Sequence, residues 1–335
     1  MRNHNIHLLM VSAVLLVISL SCSILWPAVQ PKSATYENCT PATNVIQPAS
    51  PAAMGYPLTV TDDLDRQVTI HHLPQRIVSL APSNTEILFA LGLDDRIVGV
   101  TDYCDYPTTA STKAKVAGFS TPNMEKLVSL QPDLIVGTAI HEKTVLPALE
   151  KLGYTVYIAT GQSIDAIEND ISVLGKITGS TARAEDVLSR MNAKIKSVTD
   201  RTKNLTDAQK PRVLYVYWYD PLWSMGAACF INDVIEQAGG INVFENDFEK
   251  AKSVSLESVL SKNPQVVIVS GMGTSGDAVF KAIKSERRLS PTEAWSNNRI
   301  YKISDAALIE RPGPRIANGL IELAVTIHPE LFGVK

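Results

Sequence analysis

One uninterrupted helical segment limits the folds that this sequence can adopt. Residues 180–204 contain no glycine or proline. The apolar residues that recur at helical spacing within it are Val187, Met191, Ile195 and Val198. A helix of about 22 residues is roughly 33 Å long, which is the width of a small domain. Because strand and helix patterns alternate on both sides of it, the segment predicts a rigid spacer between two α/β lobes.

The stretch before this segment begins with a predicted βαβ unit. Ile77–Leu80 and Arg96–Val100 are short apolar runs typical of buried strands. A short helical pattern separates them. In open α/β sheets, ligands bind beyond the carboxyl ends of the strands. We therefore expect the Ala81–Asn84 turn and the Asp102–Tyr106 loop to line a binding site.

Local signals also predict how the helix of this unit begins and ends. Ser83 precedes Glu86 by three residues, a spacing that predicts a capping box at the helix start. Gly92 follows the last apolar position and predicts the helix end. The same kind of reasoning predicts a β-hairpin over Tyr56–Ile70 and a last helix over Pro314–Ile327 with proline in its first turn.

The predicted fold class is α/β, with two Rossmann-like lobes that contain mainly parallel sheets and are joined by a single long helix. We expect five regions along the chain: 1–29 as a signal peptide or N-terminal membrane anchor, 30–55 as a flexible tether, 56–179 as the N-terminal lobe, 180–204 as the linking helix and 205–335 as the C-terminal lobe.

The first region predicts export. Leu8–Trp26 has no charged residue and suits either a secretory signal or an anchor that spans a bilayer. Cys22 is a lipidation candidate because Ser21 precedes it, although Ser19 stands where a bacterial lipobox usually has leucine. In each case the rest of the chain is expected outside the cytoplasm, at the cell surface or in a periplasm, tethered to the membrane.

Charge and motif content exclude several function classes. The net charge is −3 and no long basic run occurs, which argues against nucleic acid as a partner. Neither the four cysteines nor the six histidines form a zinc motif, and Cys104 and Cys229 are expected as free thiols. No serine lies in a nucleophile elbow and no acid–base pair stands out. We therefore expect no enzymatic activity, no cofactor and no metal.

Aromatic and basic side chains gather in the loops that are expected to face the space between the lobes. Aromatic residues suit a large, flat ligand, and two arginines on a Pro-Gly-Pro turn can bind carboxylate or phosphate groups. The predicted ligand contacts are Ser83, Asn84, Tyr103, Tyr106, Phe119, Trp218, Tyr219, Trp223, Arg311 and Arg315.

A short internal repeat connects the two halves. Residues 124–129 followed by Pro132 match residues 256–261 followed by Pro264 at a constant offset. Each copy carries a glutamate in its first helical turn, Glu125 or Glu257. Such a glutamate stabilises a helix start through the dipole, but a pair of them also makes two acidic knobs that suit a partner with two basic pockets.

Several blocks of the chain from Pro74 to its end resemble the substrate-binding proteins of ABC importers for cobalamin, ferric siderophores and haem. The blocks are RIVSLAPSNTEILFALG, TDYCDYP, MEKLVSLQPDLIVG, SLESVLSKNPQVVIVSG and ERPGPR. The resemblance implies two lobes joined by one long helix. It also implies that Glu125 and Glu257 bind arginines of a permease dimer, which works with ATPase subunits.

Within that family the likeness is strongest to cobalamin-binding members. Tyr103 and Phe119 fall where such proteins place aromatic contacts, and Arg311 where they place a polar one. Thr138 and Ala251, however, stand where the best-known cobalamin binder has tryptophan. A corrinoid is thus the expected ligand, while a ferric siderophore or haem stays open. A secreted enzyme on a nitrogenase-like α/β scaffold is the alternative of another class, and it would require a catalytic cluster.

Overall fold

The structure is a computed structural model that describes residues 55–271 and 276–333. The predicted signal or anchor, the lipidation candidate Cys22 and the tether up to residue 54 lie outside the described residues. Within the two described ranges, no helix has both the length and the apolar character needed to cross a bilayer.

The N-terminal lobe is built on a four-stranded parallel sheet with the strand order β4-β3-β5-β6. Every residue of β3, β5 and β6 is buried, as expected for parallel strands covered on both faces. The elements are β1 Leu58–Thr61, β2 Gln67–Ile70, β3 Ile77–Ser79, α1 Pro82–Ala90, β4 Ile97–Val100, α2 Met124–Ser129, β5 Leu134–Gly137, α3 Val145–Lys151, β6 Val156–Ile158 and α4 Ile164–Ile177.

After α5 (Thr181–Thr202), the C-terminal lobe repeats this plan with the strand order β12-β11-β7-β9, again all parallel. A small antiparallel pair, β8 with β10, lies apart from that sheet. The elements are β7 Arg212–Val216, β8 Trp223–Ser224, α6 Phe230–Gln237, β9 Ile241–Asn242, β10 Lys252–Ser253, α7 Leu256–Lys262, β11 Val266–Val269, α8 Gly276–Ser285, α9 Glu293–Ser296, β12 Ile300–Lys302, α10 Ala307–Glu310 and α11 Ile316–Ile327.

The long helix α5 packs against both lobes. Its buried stripe includes the four apolar residues predicted from the sequence, together with Ala184 and Thr202. Helix α4 of the N-terminal lobe and helix α11 of the C-terminal lobe both contact it. One continuous apolar cluster therefore runs from the first sheet through α5 to the second sheet. The predicted fold class is confirmed, while the predicted domain boundaries stay a prediction.

Some local predictions are confirmed and others are wrong. The hairpin pairs β1 with β2, and Gly92 follows the end of α1 at a φ of +72°. The capping box is wrong, because Ala81 is the N-cap of α1 and no side chain caps it. Ser83 lies inside the helix instead, and Glu86 turns towards two arginines. The last helix begins at Ile316, so Pro314 precedes it rather than forming its first turn.

A pair of carboxyl groups, of which Asp170 is buried and Asp63 is half-buried, fixes the loop after β6. Asp63 Oδ2 accepts hydrogen bonds from the backbone nitrogens of Thr160 (2.6 Å) and Gly161 (3.1 Å). Asp170 in α4 is buried beside it and hydrogen-bonded to it. The Tyr157 hydroxyl donates to Asp170 Oδ1 at 3.4 Å. The pKa of Asp170 is raised to about 8, mainly by burial and to a smaller extent by the neighbouring charge of Asp63.

This pair makes the stability of the protein depend on pH. Since the pKa of Asp170 is higher in the folded than in the unfolded chain, the folded state holds more protons between about pH 4 and 8, and stability falls as the pH rises through that window. Asp170→Asn should therefore raise the free energy of unfolding at pH 8 by about 1–2 kcal/mol and give no gain at pH 4. Urea unfolding at both values measures this.

Glu185→Gln on the exposed face of α5 is the control, and it should behave as the wild type at both pH values. If the gain from Asp170→Asn were the same at pH 4 and at pH 8, the proposed cause would be wrong.

Candidate functional site

A large cleft opens where the carboxyl ends of the two sheets meet, with a volume of about 1290 Å³. Its N-terminal wall includes Ala81 after β3, Thr138 after β5 and Thr160 after β6. Ser270 after β11 and Ile303 after β12 belong to the opposite wall. The cleft thus lies at the sheet edges where α/β proteins bind their ligands.

Three aromatic residues predicted from the sequence lie in the N-terminal wall. Tyr103 and Tyr106 are exposed, Tyr103 to 61%, and Phe119 is half-buried. Ser83 lines the same wall from the first turn of α1. Exposed aromatic faces beside a cleft offer flat apolar area to a ligand, with a hydroxyl on each tyrosine for hydrogen bonding.

His141 shapes this wall and had no recognisable sequence signal. Its Nδ1 accepts a hydrogen bond from the Thr138 backbone nitrogen at 3.0 Å. Its Nε2 lies 2.8 Å from the Phe119 carbonyl oxygen, to which it donates in this tautomer. The Phe119 ring meets the imidazole edge-on, with centroids 5.8 Å apart. Burial lowers the pKa of His141, which favours the neutral ring. The two hydrogen bonds of this ring fix Thr138 and Phe119 in the wall.

An ion-pair network crosses one end of the cleft between the lobes. Glu86 of α1 has only 2% of its side chain exposed. Arg315 donates to both of its oxygens, from Nε at 2.8 Å and from Nη2 at 2.8 Å, in a bidentate arrangement. Arg311 Nη1 reaches Glu86 Oε1 at 3.2 Å. The buried carboxylate therefore holds both arginines that were predicted to contact a ligand.

The same arginines are bound by carboxylates at the cleft rim. Arg311 Nη1 donates to Asp105 Oδ1 at 2.6 Å, and Arg315 Nη1 to Asp305 Oδ2 at 2.9 Å. The Arg315 guanidinium also lies 3.9 Å from the centre of the Tyr106 ring. The hydrogen bond from Arg311 lowers the pKa of Asp105. The bonds to Glu86 raise the pKa of Arg315 further above its ordinary value, despite partial burial.

Glu310 is a carboxyl group of the cleft that no lysine or arginine of the described residues binds directly. It lies at the end of α10 and lines the cleft. Its Oε1 is buried and has no hydrogen-bond partner among the described residues. Burial raises the pKa of Glu310 to about 7, against the opposing influence of Ser270 and Arg311. A buried carboxyl oxygen without a partner can form a hydrogen bond with a bound molecule.

Four predicted contacts lie away from the described lining of the cleft. Asn84 is buried and donates from Nδ2 to the Gly137 carbonyl at 2.8 Å, which ties α1 to β5. Trp218 and Trp223 pair across a turn that leaves the end of β7. The Tyr219 hydroxyl donates to Glu286 Oε2 at 2.6 Å. None of these three aromatic residues of the turn after β7 is among the described residues that line the cleft.

The two repeated glutamates lie at equivalent places in the two lobes. Glu125 and Glu257 are exposed in the first turns of α2 and α7, which precede β5 and β11. The caps are also equivalent, because Asn123 and Ser255 each accept a hydrogen bond from the third helical residue, at 2.9 and 3.1 Å. A hydrogen bond from its own backbone, and then the Ser255 side chain, lower the pKa of Glu257.

No group of three or more His, Cys, Asp or Glu side chains in ranges 55–271 and 276–333 is arranged to hold a metal ion. Cys104 is buried and Cys229 is half-buried, and no disulfide joins the two.

Comparison with known proteins gives consistent matches over most of the chain. The family described as periplasmic binding protein matches residues 77–307. An ABC transporter substrate-binding lipoprotein of Bacillus subtilis, YvrC, is 29% identical over 285 residues, which cover 83% of this chain and 87% of that protein. A vitamin B12-binding protein of Vibrio cholerae is 30% identical over 242 residues, with coverages of 72% and 84%.

A solved structure gives the same result for the fold. The periplasmic haem-binding protein from Pseudomonas aeruginosa has 27% sequence identity and a TM-score of 0.68, with 77% of this chain and 94% of that chain covered. The relatives therefore include proteins named for two of the expected ligands.

The ion-pair network predicts unequal costs for two arginine substitutions. Arg315→Met leaves Glu86 buried with only its longer contact to Arg311, so it should lower the free energy of unfolding by about 3 kcal/mol. Arg190→Met removes an exposed pair with Asp186 on α5 and should cost less than about 0.5 kcal/mol. Urea unfolding compares the two variants, and equal losses would contradict the argument.

Proposed function

This chain belongs to the periplasmic binding protein family, and we propose that it captures a corrinoid in the cleft between its lobes and delivers it to the permease of an ABC importer. The observation that carries the choice of ligand is the charge balance of the cleft. The cleft presents aromatic faces and hydrogen-bonding groups, while each of its cations is already paired with a carboxylate among the described residues.

The size of the cleft supports a large ligand. At about 1290 Å³ it exceeds the roughly 300–1,000 Å³ that is typical of pockets for drug-sized molecules. A corrinoid is a broad macrocycle with amide side chains around its edge. Tyr103, Tyr106 and Phe119 offer flat area to such a ring, and the serines and threonines of the walls offer hydrogen bonds to its amides.

The charges of the cleft support a neutral ligand over an anionic one. Lys302 Nζ binds Asp277 at 2.6 Å, and Arg311 and Arg315 are held by the network described above. An incoming carboxylate would have to displace one of these partners. An amide needs no such exchange, and Glu310 can accept its N–H or, when protonated, donate to its carbonyl oxygen.

Haem and ferric siderophores remain the second candidates for the same role. Similarity to a haem-binding protein favours haem. In addition, Thr138 and the exposed Ala251 stand where the resemblance to cobalamin binders implies tryptophans. Haem carries two propionates, however, and the balanced cations of this cleft suit them less well.

The role is binding and delivery rather than catalysis. Both ring nitrogens of His141 are engaged by the backbone, so neither is free to act as a general base. Membership of the family implies an extracytoplasmic location. Attachment to the membrane through residues 1–29 or Cys22 is part of the proposal.

The ligand prediction is tested by titrating the protein with cyanocobalamin, haemin and ferric siderophores while tryptophan fluorescence or heat is measured. Saturable one-to-one binding of cyanocobalamin, with weaker binding of the anionic chelates, is expected. If haemin or a siderophore binds and no corrinoid does, the ligand is wrong while the role in transport stands.

Docking is tested separately. We propose that Glu125 and Glu257 bind basic pockets of the permease, because both are exposed at equivalent places on the two lobes. Charge reversal at both residues should leave ligand affinity within about twofold and abolish ligand-stimulated ATP hydrolysis by the reconstituted importer. Charge reversal at Glu142 and Glu236, which are also exposed, is the control. Unchanged stimulation in the Glu125 and Glu257 variant would refute the docking role.

A further inference from the structure

We propose that Glu86 determines the class of ligand that the cleft accepts. Glu86 binds the guanidinium groups of Arg311 and Arg315 from the side that faces away from the cleft. The cleft therefore favours neutral, amide-bearing ligands and disfavours ligands that carry carboxylates. This inference rests on the proposed function, since it concerns the selectivity of the same cleft.

Glu86 acts from outside the cleft. It is absent from the lining of the cleft and instead borders a smaller cavity of about 360 Å³ behind the arginines, beside α5. Three contacts from the two arginines, at 2.8, 2.8 and 3.2 Å, engage both oxygens of its carboxylate. Glu86 is therefore a positioning residue: it acts on a ligand only through the arginines.

Without Glu86, each arginine would keep only a carboxylate at the rim. Asp105 has 69% and Asp305 has 51% of the side chain exposed, so water and salt weaken their hold on a cation. Glu86 is desolvated, and its attraction to the same cations is correspondingly stronger. It also gives the cluster three carboxylates against two guanidinium groups, so the cluster as a whole repels an anion.

A purely structural role for Glu86 makes a different prediction. A buried ion pair between the lobes could serve only to hold them together. In that case its removal would lower stability and weaken all ligands alike. A change in the relative affinity for neutral and anionic forms of one ligand follows only if Glu86 sets the charge that the cleft presents.

The test uses cyanocobalamin and its monocarboxylic acid, in which one propionamide is replaced by propionate, so that the two ligands differ in charge but hardly in shape. Dissociation constants are measured by calorimetry for wild type, Glu86→Gln and Asp105→Asn. The wild type should bind the neutral form about tenfold more tightly, Glu86→Gln should reduce that preference to about threefold or less, and Asp105→Asn should reduce it by a smaller factor.

Two features keep this test decisive. Glu293→Gln is the matched control. Glu293 binds Arg212 at a distance of 2.7 Å, and neither residue is in the lining of the cleft, so this variant should keep the wild-type preference. If Glu86→Gln fails to fold, Asp105→Asn still removes one of the three carboxylates of the cluster by changing an exposed residue.

Each outcome decides a different question. The role of Glu86 is overturned if the wild type binds cyanocobalamin and the acid equally well. It is also overturned if both variants keep the wild-type preference. Either result leaves the proposed function intact. A wild type that binds haemin but no corrinoid overturns the proposed ligand and, because haemin is anionic, also the charge argument.

Discussion

The burial of the apolar stripe of α5 between α4 and α11 is the constraint on which the rest of the structure depends. One core passes from the first sheet through this helix to the second. The lobes therefore cannot separate without exposing apolar surface, at about 25 cal/mol per Å². A link of this kind permits small adjustments of a packed interface rather than a wide hinge motion. The width and shape of the cleft follow from the position of this helix.

The fixed frame explains how polar loops can hold their positions around the cleft. Its walls are loops at strand ends, which are free to carry functional side chains because the sheets beneath supply the stability. His141 and Asp63 anchor two of these loops through backbone hydrogen bonds. The Glu86 network fastens the rim between the lobes. Rigid walls reduce the entropy that the protein loses when a ligand binds, which favours affinity.

Local pattern was enough to predict most of the secondary structure and about half of the candidate site. The strands are buried on both faces and read as apolar runs, and α5 has an unbroken helical period. The predictions failed where a side chain that suited a local role instead bound a partner distant in the sequence. Glu86 has the spacing of a capping residue, but two arginines more than two hundred positions away offer its charge stronger partners. Asn84 likewise binds the backbone of β5 instead of facing the cleft.

Two parallel-sheet lobes joined by one helix could be predicted from the sequence alone, because hydrophobic period and turn residues act over short distances. The sequence also placed Tyr103, Tyr106 and Phe119 at strand ends beside a cleft. Only the tertiary structure decided which charges meet, because contacts such as Glu86 with Arg315 depend on how the lobes pack and leave no periodic trace in the chain. The same holds for the turn after β7, in which Trp218 pairs with Trp223.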